Sequence, residues 1–593
     1  MLRRRRWWSA PLAVLAALAL IGPDAAAATG WRPGGLPLGP RDLPEQRAVT
    51  RLAPGLTLTT VTRGRPDPAT QFWTIAVNMP LGEVPPDPDP DADQGALGTL
   101  AKAQEVAAQI SAHPAVAAAL AARGWQPRVE PVDYVEPLVD YPGGLIGYTL
   151  RIGQFTTRPT TADPVYAALV AANFKVFAVH TGQDGRPDST GPWVVRYLTV
   201  DPWTFRGTIR TSVGEYVSGR ETTSDIARAA GALYAVNGGF FTINPADGTP
   251  GVPAGLTVLD GEPVTAATNG RVALILGDNG RDTRVAQLSS RYQIRFRPRP
   301  GGWPAGHGHR PALQGHQPAF HGPQAGRWFT VDGLNRPPGV IRNCGGVGGD
   351  HPTQRPAMDF TCTDPDELVV LTPRFGAESP TGAGVEAVVD AAGRVLTIRP
   401  RTGQPVPAGA SVVQATGTAA SWLAATAVPG STMSVETTTV DSYGRAVRLG
   451  RGDSVVNGGP QLLSHGRLAV DPEQDGLLHE SPALGLPDSA LGASFGYNWF
   501  VRNHPRTGVG VDRHGRLLIV QADGRQERHS QGLTIAEFAT VMHALGAVDA
   551  INLDGGGSSA TVVDGTLISS PSDTDGQGQP VERPVGDALL ITR

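Results

Sequence analysis

Residues 534–559 read TIAEFATVMHALGAVDAINLDGGGSS, and this stretch decides the fold of the C-terminal part of the chain. Thr534 followed three residues later by Glu537 matches a capping box, and apolar residues then recur at helical spacing until Gly546. A short apolar run, 548–553, follows. We therefore predict a helix that leads into a buried strand, with polar residues at the end of that strand.

The polar residues at this strand end are predicted to share one face. Because side chains alternate along a strand, Asn552 and Asp554 project together, on the face opposite Leu553. Three glycines then remove side-chain bulk and let backbone N–H groups converge, as in an anion-binding nest. A tight turn would use the same glycines, but the neighbouring carboxylate and serines favour a phosphate site. Its predicted anion-binding residues are Gly555, Gly556, Ser558 and Ser559.

Two other predicted strands also end in Asn-Gly-Gly. Asn237 is followed by Gly238, Gly239 and the aromatic pair Phe240 and Phe241, and Asn457 is followed by Gly458, Gly459 and Pro460. Asn-Gly is also a common hairpin turn, so both segments have a purely structural explanation. The aromatic pair after Asn237 offers a surface for a sugar ring. We therefore predict that Asn237 contacts substrate.

Charged residues near these segments supply candidate chemistry. The planar guanidinium of Arg506 suits bidentate phosphate recognition, and His504 could carry protons near neutral pH, although a lone histidine is more often structural. Glu582 and Arg583 follow the serine-aspartate segment 571–573 and are a second carboxylate and cation, unless they form only a surface ion pair. Asp554 is our first candidate for the attacking or water-activating group, with Glu582 second.

The chain as a whole is predicted to be α+β. From about residue 193 to 593, short strands separated by glycine turns dominate and helices are few, which predicts a large mixed α/β, strand-rich domain. It includes a hairpin with strands at 508–512 and 517–520. A stretch rich in Gly, Pro and His, about 297–355, is predicted to interrupt this domain as an insertion.

A smaller domain is predicted over 70–182. Strand-like and helical stretches alternate there in the order strand, helix, strand, and the order then repeats, which predicts a ferredoxin-like βαββαβ fold. The run Arg151-Ile152-Gly153-Gln154-Phe155, with the helix and strand that follow it, resembles the sporulation-related repeat (SPOR) family. That resemblance implies peptidoglycan binding. A packing domain without a ligand is the alternative.

The N-terminal segment predicts export. Four arginines, Arg3–Arg6, precede an apolar run and a cluster of alanines, which together are typical of a signal peptide spanning 1–28. A Pro/Gly-rich leader, 29–69, is predicted next. We expect the mature protein to be secreted or associated with the cell wall and not to span a membrane. In that setting the only two cysteines, Cys344 and Cys362, are predicted to form a disulfide.

The composition argues against nucleic acid as a partner and gives no support to a metal ion or cofactor. The 593 residues carry 50 Lys+Arg and 54 Asp+Glu, a formal charge of -4. There is thus no basic excess for binding nucleic acid. Two cysteines without a histidine pair at ligand spacing make a poor zinc site, and we predict no metal ion and no cofactor.

The polar segments, taken in order, resemble the phosphodiester glycosidase family. The matching residues are Asn237 to Phe241, Asn457 to Pro460, His504 to Thr507, Asn552 to Ser559, Pro571 to Asp573, and Glu582 with Arg583. The resemblance implies hydrolysis of the bond between a sugar's anomeric carbon and a phosphodiester oxygen, here at the cell envelope. Two alternatives remain: a non-catalytic protein that binds an anionic wall glycan, and a metal-dependent phosphodiesterase.

Overall fold

In the computed structural model, the predicted hairpin and strand belong to an eight-stranded antiparallel sheet, which we name the main sheet, and the predicted helix packs against it. The structure describes residues 35–80, 94–134, 144–268, 270–297, 326–342, 349–352, 361–471 and 494–593. Leu36–Arg593 forms one compact unit, and only Gly35 is described of the preceding unit, Met1–Gly35. The predicted signal peptide, Cys344 and most of the 297–355 stretch therefore lie outside the described residues, and the disulfide stays a prediction.

The main sheet is buried on both faces. Its strands, in spatial order, are Glu45–Ala53, Leu56–Arg63, Trp193–Val200, Leu517–Ala522, Arg506–Asp512, Ala547–Asn552, Gln461–Ser464 and Arg467–Leu468. In the strand Leu517–Ala522, Leu517 and Ile519 enter one core while Leu518 and Val520 enter the other. A nearly continuous apolar sequence is what a strand covered on both sides requires.

The helix Ile535–Ala544 covers one face of the main sheet. Its predicted capping box is confirmed: the Glu537 N–H donates to Thr534 Oγ1 over 2.9 Å, and the Thr534 N–H donates to the Glu537 carboxylate over 2.9 Å. Ile535, Phe538 and other residues of its apolar stripe are fully buried in the core beneath it. The helices in the described part of the C-terminal region also include Thr223–Ala229, Gly417–Thr426 and a π-helix, Tyr497–Val501.

The opposite face of the main sheet packs against two further sheets through a shared core. The first, which we name the second sheet, has the order Thr208–Ser212, Ala588–Thr592, Ala232–Asn237, Thr561–Val563 and Thr566–Leu567. The other, the third sheet, has the order Glu262–Thr265, Thr257–Leu259, Ser454–Asn457, Val272–Gly277, Asp282–Arg297 and Phe329–Val331, with Thr432–Asp441 also paired to Asp282–Arg297. The shared core places the ends of strands from three sheets within reach of one another.

Smaller sheets complete the C-terminal region. A five-stranded sheet has the order Gly333–Leu334, Leu368–Leu371, Ser411–Ala415, Val385–Val389 and Val395–Arg399, and a three-stranded sheet has the order Ile341–Arg342, Thr361–Thr363 and His351–Pro352. Two-stranded ribbons join Asp573–Thr574 to Pro580–Val581 and Met79–Pro80 to Gln94–Gly95. The predicted α+β, strand-rich fold is confirmed.

The ferredoxin-like domain is present; we name residues 73–180 the βαββαβ domain. Its antiparallel strands lie in the order Arg128–Tyr134, Gly144–Phe155, Trp73–Val77 and Val176–His180. The helices Leu100–Ala112, Pro114–Ala121 and Pro164–Ala171 bury their apolar residues against this sheet. This is the predicted βαββαβ arrangement. The SPOR likeness and the peptidoglycan binding that it implies stay predictions.

The segment that we predicted as a leader contains a hairpin of the main sheet. Leu56–Arg63 pairs along its whole length with Trp193–Val200. Leu56 and Leu58 enter the core on one face, and Val61 enters the core on the other. Proline and glycine around the hairpin concealed this alternation. The βαββαβ domain is thus inserted between two neighbouring strands of the main sheet. Among the described residues, no helix has the length and apolarity to cross a bilayer.

Candidate active site

Three asparagines, each the last residue of a strand, connect the three sheets at one place. Asn237 ends a strand of the second sheet, Asn457 ends one of the third sheet, and Asn552 ends one of the main sheet. All three are fully buried. The Asn457 Oδ1 accepts the Phe240 N–H over 3.1 Å, and the Asn552 Nδ2 donates to the Gly459 oxygen over 2.9 Å. The Asn-Gly-Gly segments therefore join sheets to one another.

Asn237 makes the most extensive of these connections. Its Nδ2 donates to the Asp554 carbonyl oxygen over 2.7 Å. Its Oδ1 accepts from the Thr507 hydroxyl over 2.7 Å and from the Ala560 N–H over 3.2 Å. Because the protein satisfies both polar atoms, the geometry gives Asn237 a positioning role toward Asp554 in place of the direct substrate contact that we predicted.

Asp554 and Asp587 lie on either side of Gly238. The Asp554 N–H donates to the Gly238 carbonyl oxygen over 3.1 Å, and the Gly238 N–H donates to the backbone carbonyl oxygen of Asp587 over 2.9 Å. A Cβ at position 238 would overlap the Asp587 carboxylate, which explains why glycine is needed there. Asp554 is half-buried, whereas Asp587 is fully buried. A carboxylate that solvent can reach thus stands beside one that it cannot.

Asp587 holds its proton far more tightly than an ordinary carboxyl. Burial, with a smaller contribution from the charge of Asp554, raises its pKa to about 7, and the nearby N–H of Gly239 opposes this rise. Neither carboxylate oxygen of Asp587 has a partner within full hydrogen-bond geometry among the described residues. At neutral pH a substantial fraction of Asp587 is therefore an uncharged acid.

The glycine loop, Gly555–Gly557, does not form the anion nest that we predicted. The Gly555 N–H donates to the Asp554 Oδ1 over 2.8 Å, and the Gly556 N–H donates to the Pro505 oxygen over 2.9 Å. The N–H groups of Ser558 and Ser559 donate back to Gly555 and Gly556, each over 3.2 Å. Because the protein uses these four amides, anion recognition falls to other groups.

The glycines instead admit two arginine side chains. A Cβ at Gly556, whose φ is +59°, would lie 3.0 Å from the Arg525 Nη2. A Cβ at Gly557 would overlap the pair formed by Arg583 and Asp573. In that pair the Arg583 Nε and Nη2 donate to the two Asp573 oxygens over 2.7 and 3.0 Å. We name Arg502, Arg525 and Arg583 the arginine cluster.

Two members of the arginine cluster have no ion pair among the described residues, namely Arg502 and Arg525. Burial, followed by the charges of Arg502 and Arg583, lowers the pKa of Arg525 to about 10, and the charges of Asp573 and Asp554 oppose the shift. Arg525 as a residue is nevertheless exposed. Mutual repulsion between unpaired cations at a solvent-accessible position would be relieved by an anionic ligand.

His504 orients Arg525. The Arg525 Nε–H donates to the His504 Nδ1 over 3.1 Å, and the His504 Nε2 bonds to the Asn498 carbonyl oxygen. Burial, followed by the charges of Arg525, Arg506 and Arg502, lowers the pKa of His504 well below its usual value. The ring is therefore neutral with its proton on Nε2. Since both nitrogens are occupied, the geometry does not support the proton-carrier role that we predicted.

Arg506 is also committed to the protein. Its side chain is 2% exposed, donates to the Leu533 oxygen over 3.0 Å and to the Trp499 oxygen over 2.6 Å, and lies over the Trp499 ring. The next residue, Thr507, does contact the segment that carries Asp554, because its backbone oxygen accepts the Leu553 N–H over 2.8 Å. Arg525, which is exposed, is thus better placed for the phosphate recognition that we predicted for Arg506.

Several buried polar atoms around the glycine loop lack a protein partner. Among the described residues these are the hydroxyls of Ser558, Ser559 and Ser572 and the Oδ1 of Asn552. Ser558 is 1% exposed and Ser559 is 4% exposed. Buried polar groups normally have a hydrogen-bond partner, and exceptions of this kind cluster at binding sites. The hydroxyls of Ser558 and Ser559 can therefore donate to a bound anion, as we predicted.

Other predicted residues lie elsewhere. The Glu582 Oε1 accepts the Ser224 N–H over 3.0 Å at the start of the helix Thr223–Ala229, so it serves as a cap. Phe240 and Phe241 are each 3% exposed and belong to two different cores, so they present no surface to a sugar. The half-buried Trp499 packs on Phe240, with ring centroids 5.9 Å apart.

Sequence reasoning missed Arg525 and Asp587. Arg525 adopts a left-handed backbone conformation, with φ +59°, in the turn after the strand Leu517–Ala522. Asp587 comes immediately before the apolar strand Ala588–Thr592. The only signal for Asp587 was a carboxylate at the start of a buried strand, and Arg525 had no sequence signal that separates it from other surface arginines.

Comparison with known proteins bears directly on this arrangement. Residues 383–592 match the family described as "Phosphodiester glycosidase". We name this matched region the phosphodiester glycosidase domain. This phosphodiester glycosidase domain contains Asp554, the glycine loop, the arginine cluster and Asp587. Asn237 lies outside the matched region, and the structure brings it to Asp554 from the preceding part of the chain.

Relatives of the phosphodiester glycosidase domain include two curated mammalian proteins. The chain is 50% identical over 96 residues to the N-acetylglucosamine-1-phosphodiester alpha-N-acetylglucosaminidase of Mus musculus and 41% identical over 97 residues to that of Bos taurus. Each match covers 16% of this chain and 18% of the relative, so the chain matches less than a fifth of either protein.

A solved structure covers much more of the chain. The crystal structure of a putative exported protein from Burkholderia pseudomallei K96243 is similar over 96% of this chain and 100% of that chain, with 31% sequence identity and a TM-score of 0.74. The likeness therefore extends beyond the phosphodiester glycosidase domain, through the βαββαβ domain and the hairpin of the main sheet.

Proposed function

We propose that the chain hydrolyses the bond between a sugar's anomeric carbon and a phosphodiester oxygen, releasing the sugar and a phosphomonoester. The observation that carries the proposal is the half-buried Asp554 carboxylate beside the unpaired Arg525 at the glycine loop. The family of residues 383–592 supports the same reaction. So do the two mammalian relatives, whose names describe a glycosidase acting on N-acetylglucosamine-1-phosphodiesters.

The residues present suit the demands of this reaction. A phosphomonoester leaves far more readily than a sugar alkoxide, so the main task is to stabilise anionic phosphate oxygens. Arg525 and Arg502 supply positive charge for this task. The unpartnered hydroxyls of Ser558 and Ser559 supply hydrogen-bond donors. These groups would hold the phosphate in the Arg525-lined part of the site.

Asp554 takes the role at the anomeric carbon. It either attacks that carbon or removes a proton from the attacking water. Overall, the hydroxyl of water goes to the sugar carbon, the carbon–oxygen bond to phosphate breaks and its electron pair leaves with the phosphomonoester, and the remaining proton of the water passes to the phosphomonoester or to solvent. Asp587, partly protonated near pH 7, limits the negative charge beside Asp554. Glu582 remains our second candidate for the carboxylate, although it caps a helix.

We further propose that this reaction takes place outside the cytoplasm, at the cell envelope. The arginine-rich and apolar sequence of residues 1–28 supports export, and the Burkholderia relative is described as a putative exported protein. A fusion of residues 1–28 to a reporter that is active only outside the cytoplasm tests this placement. Reporter activity is expected, and a fusion that the cells express without reporter activity would contradict the proposal.

Incubation of the purified chain with a sugar-1-phosphodiester tests the reaction itself. We expect free reducing sugar, and we expect Asp554→Asn to abolish its release while the variant keeps its far-UV circular dichroism spectrum and binds phosphate. Asp564→Asn is a matched control, because Asp564 is exposed and its φ of +45° suits asparagine. Binding of the phosphodiester without turnover by the unmutated chain would instead identify a glycan-binding protein.

A further inference from the structure

The βαββαβ domain, together with its exit turn at residues 181–185, contacts both segments that carry the unpaired arginines. One segment is 494–504, which includes Arg502 and His504, and the other is 525–531, which includes Arg525. In a domain used only for targeting, few contacts with the catalytic part would be needed. The number and burial of the contacts here require a different explanation.

The first contact is a buried polar triad. The Arg151 Nη2, in the long strand Gly144–Phe155, donates to the Tyr497 hydroxyl over 2.7 Å and to the Asp184 Oδ1 over 2.9 Å. The Tyr497 hydroxyl also donates to Asp184 over 3.3 Å. Arg151 and Tyr497 are each 3% exposed. Tyr497 opens the π-helix whose next residue, Asn498, supplies the carbonyl oxygen that binds His504.

The exit turn makes the second contact, directly on Arg502. The Arg502 Nη2 donates to the Gln183 Oε1 over 3.4 Å, and the Asn503 N–H donates to the Gln183 backbone oxygen over 3.0 Å. The Arg502 Nε is buried without a partner among the described residues. Gln183 is thus the uncharged acceptor that holds an arginine in place without neutralising it.

A third contact reaches the segment that carries Arg525. The Trp73 Nε1–H, in the first strand of the domain, donates to the Glu527 carboxylate, two residues beyond Arg525. Apolar packing joins Leu97 of the domain to Tyr497 and Val501. The contacts therefore form a continuous series. The βαββαβ domain contacts the π-helix that contains Asn498, the Asn498 carbonyl oxygen binds His504, His504 binds Arg525, and Arg525 lies against the glycine loop.

We propose that the βαββαβ domain is a structural part of the anion site, and that Tyr497 and Gln183 are positioning residues that set its affinity for phosphate through Arg502 and Arg525. The inference rests on the phosphate-binding half of the proposed function, not on turnover. It assigns the domain a role in substrate affinity that is independent of any binding to peptidoglycan.

The test uses the full chain and two nearly isosteric variants. Tyr497→Phe removes the hydroxyl that receives Arg151, and Gln183→Met removes the acceptor of Arg502. Arg123→Met is the matched control, because Arg123 forms an exposed ion pair with Asp163 within the same domain. The probe is inorganic phosphate, titrated at low salt by calorimetry, and KM and kcat for a sugar-1-phosphodiester and the melting temperature are measured alongside.

We expect both variants to bind phosphate about 3- to 10-fold more weakly than the unmutated chain and to raise KM by a similar factor. The value of kcat should stay within about twofold, and Arg123→Met should change neither phosphate affinity nor KM. Equal phosphate affinity in all four proteins would overturn the inference, as would an unmutated chain that does not bind phosphate. Phosphate binding that is weakened in the variants, with no hydrolysis by any protein, would uphold this inference and refute the proposed reaction.

Discussion

The Nε–H of Arg525 donates to the Nδ1 of His504 over 3.1 Å, and this bond fixes the state of both side chains. It places the histidine proton on Nε2, where the Asn498 carbonyl oxygen accepts it. It also turns the guanidinium toward Gly556, where a side chain would collide with it. The candidate site therefore depends on a neutral histidine that orients an unpaired arginine.

Replacement of Arg525 tests the anion-binding assignment. Arg525→Met should lower kcat/KM for a sugar-1-phosphodiester by about 30- to 150-fold, since a charge-assisted contact to phosphate contributes about 2–3 kcal/mol. Steady-state kinetics measures this. Arg528→Met is the control on the same turn, because Arg528 is largely exposed, and it should leave kcat/KM within about twofold. Equal losses in the two variants would show that Arg525 has no special role.

The neutral state of His504 predicts how stability depends on pH. Because its pKa in the folded protein lies well below the unfolded value of 6.5, only the unfolded chain takes up this proton as pH falls below that value. Stability from this group is thus complete above pH 6.5 and is lost on acidification. His504→Gln preserves one acceptor and one donor and should flatten the fall in melting temperature between pH 7 and pH 5. An unchanged slope would mean that His504 titrates normally.

Asp587 predicts the opposite dependence. Its pKa of about 7 in the folded protein exceeds the unfolded value of 3.8, so its contribution to stability is complete below about pH 4 and is lost as pH rises to about 7. Relative to the unmutated chain, Asp587→Asn should therefore gain about 2–3 kcal/mol in free energy of unfolding between pH 5 and pH 8. Urea denaturation at the two pH values measures the gain, and a gain near zero would place the pKa of Asp587 in the ordinary range.

Asn237 predicts a combined effect on stability and activity. Asn237→Ala removes the acceptor of Thr507 and Ala560 and the donor to Asp554, all buried, and should cost about 2–4 kcal/mol in free energy of unfolding. Thr507→Val removes one of these bonds and should cost about 1 kcal/mol. Urea denaturation compares them. At a temperature where both stay folded, only Asn237→Ala should lose most of its hydrolytic rate, and full activity in that variant would remove Asn237 from the site.

Elements governed by local periodicity could be predicted from the sequence. The capping box at Thr534, the hairpin that follows Arg506 and the βαββαβ order all follow from patterns within a few residues. The hairpin at 45–63 was missed because its pairing with Trp193–Val200 spans more than a hundred residues. No local pattern records a partner that distant.

The candidate site shows the same division. Of the residues predicted to form one site, Asn237 and Asp554 meet, because Asn237 ends one strand and Asp554 follows directly after the end of another. Which side chain reaches solvent could not be predicted, since it depends on how the sheets pack. Arg506 turns inward to backbone carbonyl groups while Arg525, from another turn, takes the surface position. Asp587 became notable only through its burial next to Gly238.

The most direct test of the central claim is the position of bond cleavage. A sugar-1-phosphodiester is hydrolysed by the full chain in water enriched in oxygen-18, and the products are identified by mass spectrometry. Attack at the anomeric carbon predicts two products, free sugar and a phosphomonoester that carries no oxygen-18. Neither product should form with Asp554→Asn. Release of a sugar-1-phosphate, or oxygen-18 in the phosphate group, would contradict the account.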